Sequence, residues 1–243
     1  MENCDLEDIN NSQLINNPTL EKLNLNTDLC DNPTIMVLGK RATGKTSLII
    51  DLIKHFKSST NINKVIIICP TDKTQSKYLE VSDCIHHSFN DTIIEEILNE
   101  RMNDKDKLKE QILIVLDDCL YSKEGFETKV MREIIYNSRH LNISFILSMQ
   151  FPLQINVTLR INFDYVFLFK DTNKSTQKLI HDHYCGMFSE FETFKETLLQ
   201  NTMDYNSMVI INRAVKSNGN KVKYYKANMS TVTDDIHDIN EHL

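Results

Sequence analysis

The chain has 243 residues, of which 41% are hydrophobic and 25% are charged, enough to build the core of one α/β-sized domain. Its net charge of −7 argues against a generic basic nucleic-acid coat, but still allows a ring whose lumen carries local Lys and Arg side chains. No apolar run approaches the roughly 18 residues that span a bilayer. Six scattered cysteines without a CxxC pair favour a reducing compartment. We therefore expect a soluble protein.

The predicted elements alternate between apolar strands and amphipathic helices. Residues 1–30, rich in Asn and Asp, are predicted to form a loosely ordered arm. Asp91 is predicted to be the N-cap of a helix that begins there. The first half of the chain then predicts strands at 34–39, 64–70 and 111–120, with helices at 45–56 and 91–104.

The second half continues this alternation. It predicts a helical stretch at 124–139, strands at 143–150 and 165–170, and helical stretches at 173–186 and 189–200. Residues 207–227 predict a β-hairpin around the turn 217–220, and residues 229–243 predict an acidic tail. Because the strands are continuous apolar runs, we expect an α/β fold with an open, mostly parallel sheet sandwiched by helices. One domain would span residues 31–228 and end in the hairpin.

The stretch GKRATGKT, which begins at Gly39, contains two of the five glycines in the chain. It matches G-x-x-x-x-G-K-[ST] in full and lies between a predicted strand and a predicted helix, which is the context of a phosphate-binding loop. In such a loop, backbone N–H groups converge on phosphate oxygens, and glycine lets the backbone approach them closely. The predicted nucleotide-binding residues are Gly39, Lys40, Arg41, Ala42, Thr43, Gly44, Lys45, Thr46 and Ser47.

Individual residues of this loop have distinct predicted roles. Lys45 would neutralise the β- and γ-phosphates of ATP, and the hydroxyl of Thr46 would ligate Mg²⁺. Lys40 and Arg41 have two interpretations of similar weight. They contact phosphates, as a cis-acting arginine does in some motor proteins, or they are solvated loop charges.

The stretch ILIVLDDCL supplies a pair of acids at the end of the third predicted strand. An aliphatic strand that ends in an acid is the Walker B pattern, in which the carboxylate holds the Mg²⁺ water shell. Asp117 is therefore the predicted metal-side residue, and Asp118 the general base that polarises the attacking water. The alternative is a strand that ends in two solvated acids, and the upstream phosphate loop favours the metal site.

Three further polar residues surround the fourth predicted strand. Gln150 ends it, at the edge where open α/β sheets bind ligands, and could orient the lytic water or be an ordinary polar strand end. Arg139 and Arg160 flank the strand, and either could act as an arginine finger on a neighbouring subunit or be a surface charge.

Together these motifs resemble the genome-packaging ATPases of nucleocytoplasmic large DNA viruses, a branch of the FtsK–HerA superfamily. The resemblance covers roughly residues 33–170 and is carried by GKRATGKT, the strand that ends in Asp117 and Asp118, and NSRHLNISFILSMQ, which contains Arg139 and ends in Gln150. A sheet of the RecA/FtsK type is what this resemblance implies.

The resemblance also implies a function. Such a protein uses ATP and Mg²⁺ to drive double-stranded viral DNA into a capsid, as a homo-oligomeric ring that works with capsid or portal proteins in the virion or the host cytoplasm. Arg139 would be the preferred trans-acting arginine, with Arg160 second. Many related motors carry Glu where this chain has Asp118, one methylene shorter.

Two other functions compete with the packaging motor. A P-loop kinase would transfer phosphate to a nucleotide or small molecule, but such enzymes normally carry an arginine-rich lid, which the stretch after the fifth strand lacks. A nucleotide-gated assembly protein would bind ATP and turn it over poorly. Tyr224 and Tyr225, beside several lysines, could contact nucleic acid or belong to a half-buried hairpin.

Overall fold

The computed structural model describes residues 20–120, 123–152, 155–213 and 220–228. In these ranges one eight-stranded sheet has the order β3-β2-β4-β5-β1-β6-β7-β8. The strands are β1 Thr34–Leu38, β2 Ile62–Ile68, β3 Cys84–His86, β4 Gln111–Asp117, β5 Ile143–Met149, β6 Tyr165–Leu168, β7 Asn206–Ile211 and β8 Val222–Lys226. In this order, neighbouring strands from β3 through β6 pair in parallel, and the pairs β6–β7 and β7–β8 are antiparallel. The predicted open, mostly parallel sheet is confirmed.

Helices cover both faces of this sheet. They are α1 Leu25–Asp28, α2 Lys45–Ser59, α3 Asp72–Tyr78, α4 Asp91–Asn103, α5 Lys105–Lys109, α6 Lys123–Phe126, α7 Lys129–Asn137, α8 Val157–Arg160, α9 Lys174–Tyr184 and α10 Phe191–Asn201, with a 3-10 turn at Ser138–Leu141. Successive residues of β1 point to opposite faces, so Met36 joins one core cluster while Ile35 and Val37 join the other. β1 and β5 are buried at every position, as expected for central strands that are covered on both faces.

The N-terminal segment of the described chain covers the outer edge of the sheet. Leu23 is buried, and its N–H donates to the carbonyl of Tyr224 at 2.8 Å. The hydroxyl of Tyr165 donates to the carbonyl of Asp28 at 2.6 Å. Residues 20–30, part of the predicted loose arm, therefore pack on the domain and shield its edge strand. The rest of the arm and the predicted acidic tail lie outside the described residues.

The C-terminal hairpin has the predicted pairing. β7 and β8 pair antiparallel, with Met208 opposite Tyr224. Tyr225 is 7% exposed, and its hydroxyl donates to Oδ2 of Asp51 in α2 at 2.6 Å. This burial assigns Tyr225 to the core of the hairpin. Most of the predicted turn lies outside the described residues.

Several local predictions differ from the structure. The N-cap of α4 is Asn90, whose side chain accepts from the N–H of Thr92, and Asp91 is the first helical residue. The strand β3 and the helix α3 were not predicted, because one is only three residues long and the other lacks a clear apolar stripe. Within the described ranges, no helix combines the length and hydrophobicity that crossing a bilayer requires.

Candidate active site

The predicted site residues meet at the carboxyl edge of the sheet. Strand β5 lies between β1 and β4, so that Leu38 pairs with Met149 and Asp117 pairs with Ser148. The phosphate loop, Asp118 and Gln150 each directly follow one of these strands, and Asp117 is the last residue of β4. Because parallel strands end at a common edge, the sheet brings these distant stretches of the chain together.

The phosphate loop is already curled around the lysine. The ammonium Nζ of Lys45 donates to the carbonyl of Gly39 at 2.8 Å and to that of Lys40 at 3.3 Å. The hydroxyl of Thr43 donates to the carbonyl of Lys40 at 2.8 Å. The loop therefore holds its shape through its own carbonyls, and Lys45 is buried at its centre.

The two glycines of the loop are required for different reasons. A β-carbon at Gly39 would lie 2.6 Å from Oγ1 of Thr43 and 2.8 Å from Cβ of Phe169, too close for any side chain. Gly44 caps α2 with φ +104°, a conformation that glycine adopts without strain. Glycine is thus required once for space and once for backbone geometry.

Lys40 and Arg41, which the sequence left undecided, differ in their surroundings. Nζ of Lys40 donates to Oδ1 of Asp171 at 2.8 Å, and Asp171 is buried. Arg41 is exposed and lines the cleft, with no bonded partner among the described residues. Lys40 therefore ties the loop to the segment after β6, while Arg41 is the cation left for an anion.

Asp118 lies beside both Lys45 and Gln150. Its Oδ2 is 3.1 Å from Nζ of Lys45 and accepts a hydrogen bond from Nε2 of Gln150 at 3.0 Å. The backbone of Asp118 has φ +47°, and its N–H donates to the carbonyl of Ser148 at 3.2 Å. This left-handed turn at the strand end directs the carboxylate towards the phosphate loop.

Asp117, the preceding residue, is buried. It is 3% exposed, and its Oδ2 accepts a hydrogen bond from the hydroxyl of Tyr78 in α3 at 2.8 Å. Burial raises the pKa of Asp117 above its ordinary value, and the hydrogen bond from Tyr78 only partly opposes this. Burial and the charge of Asp117 also raise the pKa of Tyr78. Tyr78 thus contacts the carboxylate predicted to serve Mg²⁺.

An open cleft of about 930 Å³ extends over the phosphate loop. Basic lining residues outnumber acidic ones by five to two, in a chain whose net charge is −7. The basic residues are Lys40, Arg41, Lys45, Lys77 and Lys226, and the acidic ones are Asp118 and Asp204. This local reversal of charge favours an anionic ligand.

The two predicted finger arginines do not lie at this cleft. Nη2 of Arg139 is 2.5 Å and 2.6 Å from the two carboxylate oxygens of Asp164, at the amino edge of the sheet. Arg160 is 5% exposed, and its guanidinium carbon lies 5.2 Å from the ring centre of Tyr184. A finger must be free to reach another subunit. For Arg160 that role would require the side chain to leave its buried position, and for Arg139 it would require the ion pair to open.

Sequence reasoning missed two residues at this edge. Tyr78 belongs to an unpredicted helix, and no motif marks it. Tyr205, which is 64% exposed and lines the cleft, lies in the turn between α10 and β7, far from any motif. Only the topology of the sheet brings that turn beside the phosphate loop.

The fold and the site together define a P-loop NTPase architecture. Among solved structures, the chain is similar to the genome-packaging NTPase B204 of Sulfolobus turreted icosahedral virus 2 in complex with AMPPCP, with a TM-score of 0.62 and 14% identity over 82% of this chain and 100% of that one. At this identity the similarity establishes the fold.

Sequence relatives identify the family. The chain is 32% identical to uncharacterized protein L437 of Acanthamoeba polyphaga mimivirus, over 86% of this chain and 77% of the relative. It is 31% identical to uncharacterized protein 075L of Invertebrate iridescent virus 6, over 74% and 70% respectively. The chain belongs to this family of large DNA virus proteins, which confirms the resemblance drawn from its motifs. The chain matches no protein-family model.

Proposed function

We propose that the chain is a Mg²⁺-dependent ATPase whose active site is the cleft at the carboxyl edge. The observation that carries this proposal is the shared Oδ2 of Asp118, 3.1 Å from Lys45 and 3.0 Å from Gln150. A phosphate-binding cation, a general base and a polar sensor, each from a separate stretch of the chain, meet at one oxygen atom. If these polar residues were only solvated ends of strands, such convergence on one atom would not be expected.

The arrangement suggests how hydrolysis would begin. The γ-phosphate of an entering triphosphate would compete with Asp118 for the ammonium of Lys45. As Lys45 turns to the phosphate, Oδ2 of Asp118 becomes free to accept a proton from the attacking water. Gln150, already bonded to the same oxygen, is placed to orient that water. The loop amides and Arg41 would hold the phosphates.

The residues present fit Mg²⁺. Thr46 and Asp117 offer the oxygen donors that this ion prefers. Burial raises the pKa of the Asp117 carboxyl, so its negative charge lacks compensation that a cation would supply. Bound there, Mg²⁺ would neutralise charge that develops on the phosphates. Tyr78 would hold the Asp117 carboxylate in place.

The biological role that we propose is packaging of double-stranded viral DNA into the capsid. Three observations support it: the relatives are proteins of large DNA viruses, the fold is that of a packaging NTPase, and the cleft is basic. The chain would act as a homo-oligomeric ring with capsid or portal proteins, in the virion or host cytoplasm. The cysteines within the described residues are all free thiols, as a reducing compartment favours.

The test is phosphate release from ATP with Mg²⁺, measured with and without double-stranded DNA across protein concentration and salt. We expect DNA to raise the rate at low salt, and the specific activity to rise with protein concentration as a ring forms. Hydrolysis that DNA leaves unchanged at every salt concentration would contradict packaging while leaving the ATPase intact. Transfer of phosphate to a nucleotide acceptor instead of water would identify a kinase.

Two controls make this assay specific. Lys45→Ala reports contaminating ATPase in the preparation. Single-stranded DNA of matched length separates a response to duplex from a general response to polyanions.

A further inference from the structure

The exposed side of the cleft carries an aromatic residue that the proposed hydrolysis does not use. Tyr205 is 64% exposed, yet its Cδ1 would lie 3.4 Å from a β-carbon at Gly44, the residue that caps α2. The ring therefore stands directly beside the helix N-terminus that binds phosphate. An exposed aromatic ring at the mouth of a nucleotide cleft provides a flat apolar face.

The backbone holds this ring in an unfavourable conformation. Asp204 and Tyr205 have φ of +50° and +61°, two successive residues in the left-handed region without being glycine. The N–H of Asn206 closes the turn on the carbonyl of Met203 at 2.9 Å. Such strain persists where the surrounding structure imposes it, and it is concentrated at ligand sites.

The topology fixes which end of a nucleotide would meet this ring. Asp118 and Gln150 follow β4 and β5, on one side of the phosphate loop, and mark the γ-phosphate end. Strands β6, β7 and β8 lie on the other side, towards which the nucleoside must extend. Tyr205 precedes β7, and its neighbour Asn206 pairs with Lys226, which also lines the cleft.

We infer that Tyr205 is the platform for the nucleobase, against which the base of the bound nucleotide stacks. The inference rests on the proposed nucleotide site and adds the subsite that holds the base. Stacking recognises any base by its flat face, so the platform binds a heteroaromatic base and does not select adenine over guanine.

The experiment compares two ligands by calorimetry in the presence of Mg²⁺: AMPPCP, which carries a base, and inorganic tripolyphosphate, which does not. In Tyr205→Ala we expect AMPPCP to bind about tenfold more weakly, the size of one lost base–aromatic stack, and tripolyphosphate to bind as in wild type. Tyr205→Phe keeps the ring and should retain AMPPCP affinity within about twofold.

Two further variants keep the result interpretable. Met203→Ala changes an exposed apolar residue of the same turn that does not line the cleft, and should leave both affinities unchanged. Tyr205→Gly suits the left-handed backbone, so its thermal midpoint should not fall while AMPPCP affinity still does.

The outcomes separate this inference from the function on which it rests. Equal weakening of both ligands in Tyr205→Ala, or no weakening of either, would overturn the platform while leaving the nucleotide site intact. Failure of wild type to bind either ligand would overturn the nucleotide site and the platform with it.

Discussion

The two edges of the sheet contain the same kinds of polar residue but arrange them differently. At the amino edge, Asp164 binds Arg139 and also accepts from the N–H and the hydroxyl of Thr34. Arg101, which is 3% exposed, donates to the carbonyl of Leu141 at 2.7 Å. At the carboxyl edge, Arg41, Lys45 and Asp118 instead face an open cleft.

This difference separates residues that hold the fold from residues that remain available to a ligand. Buried charges at the amino edge have partners within the protein, so little is left for another molecule to bind. The carboxyl edge keeps a buried acid with a raised pKa, which costs stability, and the exposed Arg41, which has no bonded partner among the described residues. Variants at the two edges should therefore fail in opposite ways.

The largest effect is expected for Asp118→Asn. The amide cannot accept the proton of the attacking water, so we expect the turnover number for ATP to fall by about 100- to 1000-fold. Asp164→Asn is the matched control at the amino edge, and turnover per folded molecule should stay at the wild-type value. Equal turnover in Asp118→Asn and wild type would remove Asp118 as the base.

The next largest effect is expected for Asp164→Ala, measured by chemical denaturation. It leaves the buried N–H of Thr34 without this partner and Arg139 without its counterion, so the free energy of unfolding should fall by about 2–3 kcal/mol. Arg139→Ala should lose less, because the guanidinium side chain is 51% exposed. If Arg139→Ala subunits inhibit ATP hydrolysis in mixed oligomers without lowering the free energy of unfolding, Arg139 would act as a trans-acting arginine finger.

A smaller effect distinguishes the two loop cations. Arg41→Met should weaken AMPPCP binding about tenfold, because it removes an unpaired charge from the phosphate site. Lys40→Met should change that affinity by about twofold at most, and should lower the free energy of unfolding by up to about 1 kcal/mol through its lost partner Asp171. Calorimetry and denaturation of both variants test this pair, and the reverse pattern would exchange their roles.

The smallest effect is a gain of stability in Asp117→Asn without ligand. Burial raises the folded-state pKa of this carboxyl, so its charge destabilises the fold increasingly as pH rises from the unfolded value of about 4 through the folded one. The amide still accepts from Tyr78 without that charge, and should raise the free energy of unfolding at neutral pH by about 1 kcal/mol. The gain should shrink on acidification, and Mg²⁺ with AMPPCP should stabilise wild type more than the variant. A variant less stable than wild type at neutral pH would argue against this account.

The sequence predicted the elements that carry strong local signals. Continuous apolar runs marked the central strands, and the spacing of Gly39, Gly44 and Lys45 marked the phosphate loop. The positions of Asp118 and Gln150 followed, because parallel strands share a carboxyl edge. These signals are local, so a single sequence is enough to interpret them.

What the sequence could not predict depends on contacts between distant residues. Arg139 and Arg160 look alike as isolated cations, and only the fold places Asp164 against the first and Tyr184 over the second. Tyr78 and Tyr205 belong to no motif, and they reach the site through a short helix and a strained turn. These roles depend on packing between distant residues, which the local sequence pattern does not reveal.

The central claim is that the carboxyl-edge cleft hydrolyses ATP. The most direct test is the steady-state rate of ADP formation by wild type and Lys45→Ala, with Mg²⁺, at equal concentrations of folded protein verified by denaturation. We predict turnover in wild type and a rate at least about 100-fold lower in Lys45→Ala, with unfolding free energies within about 1 kcal/mol of each other. Equal rates in the two proteins, or no ADP from wild type with or without DNA, would contradict the claim.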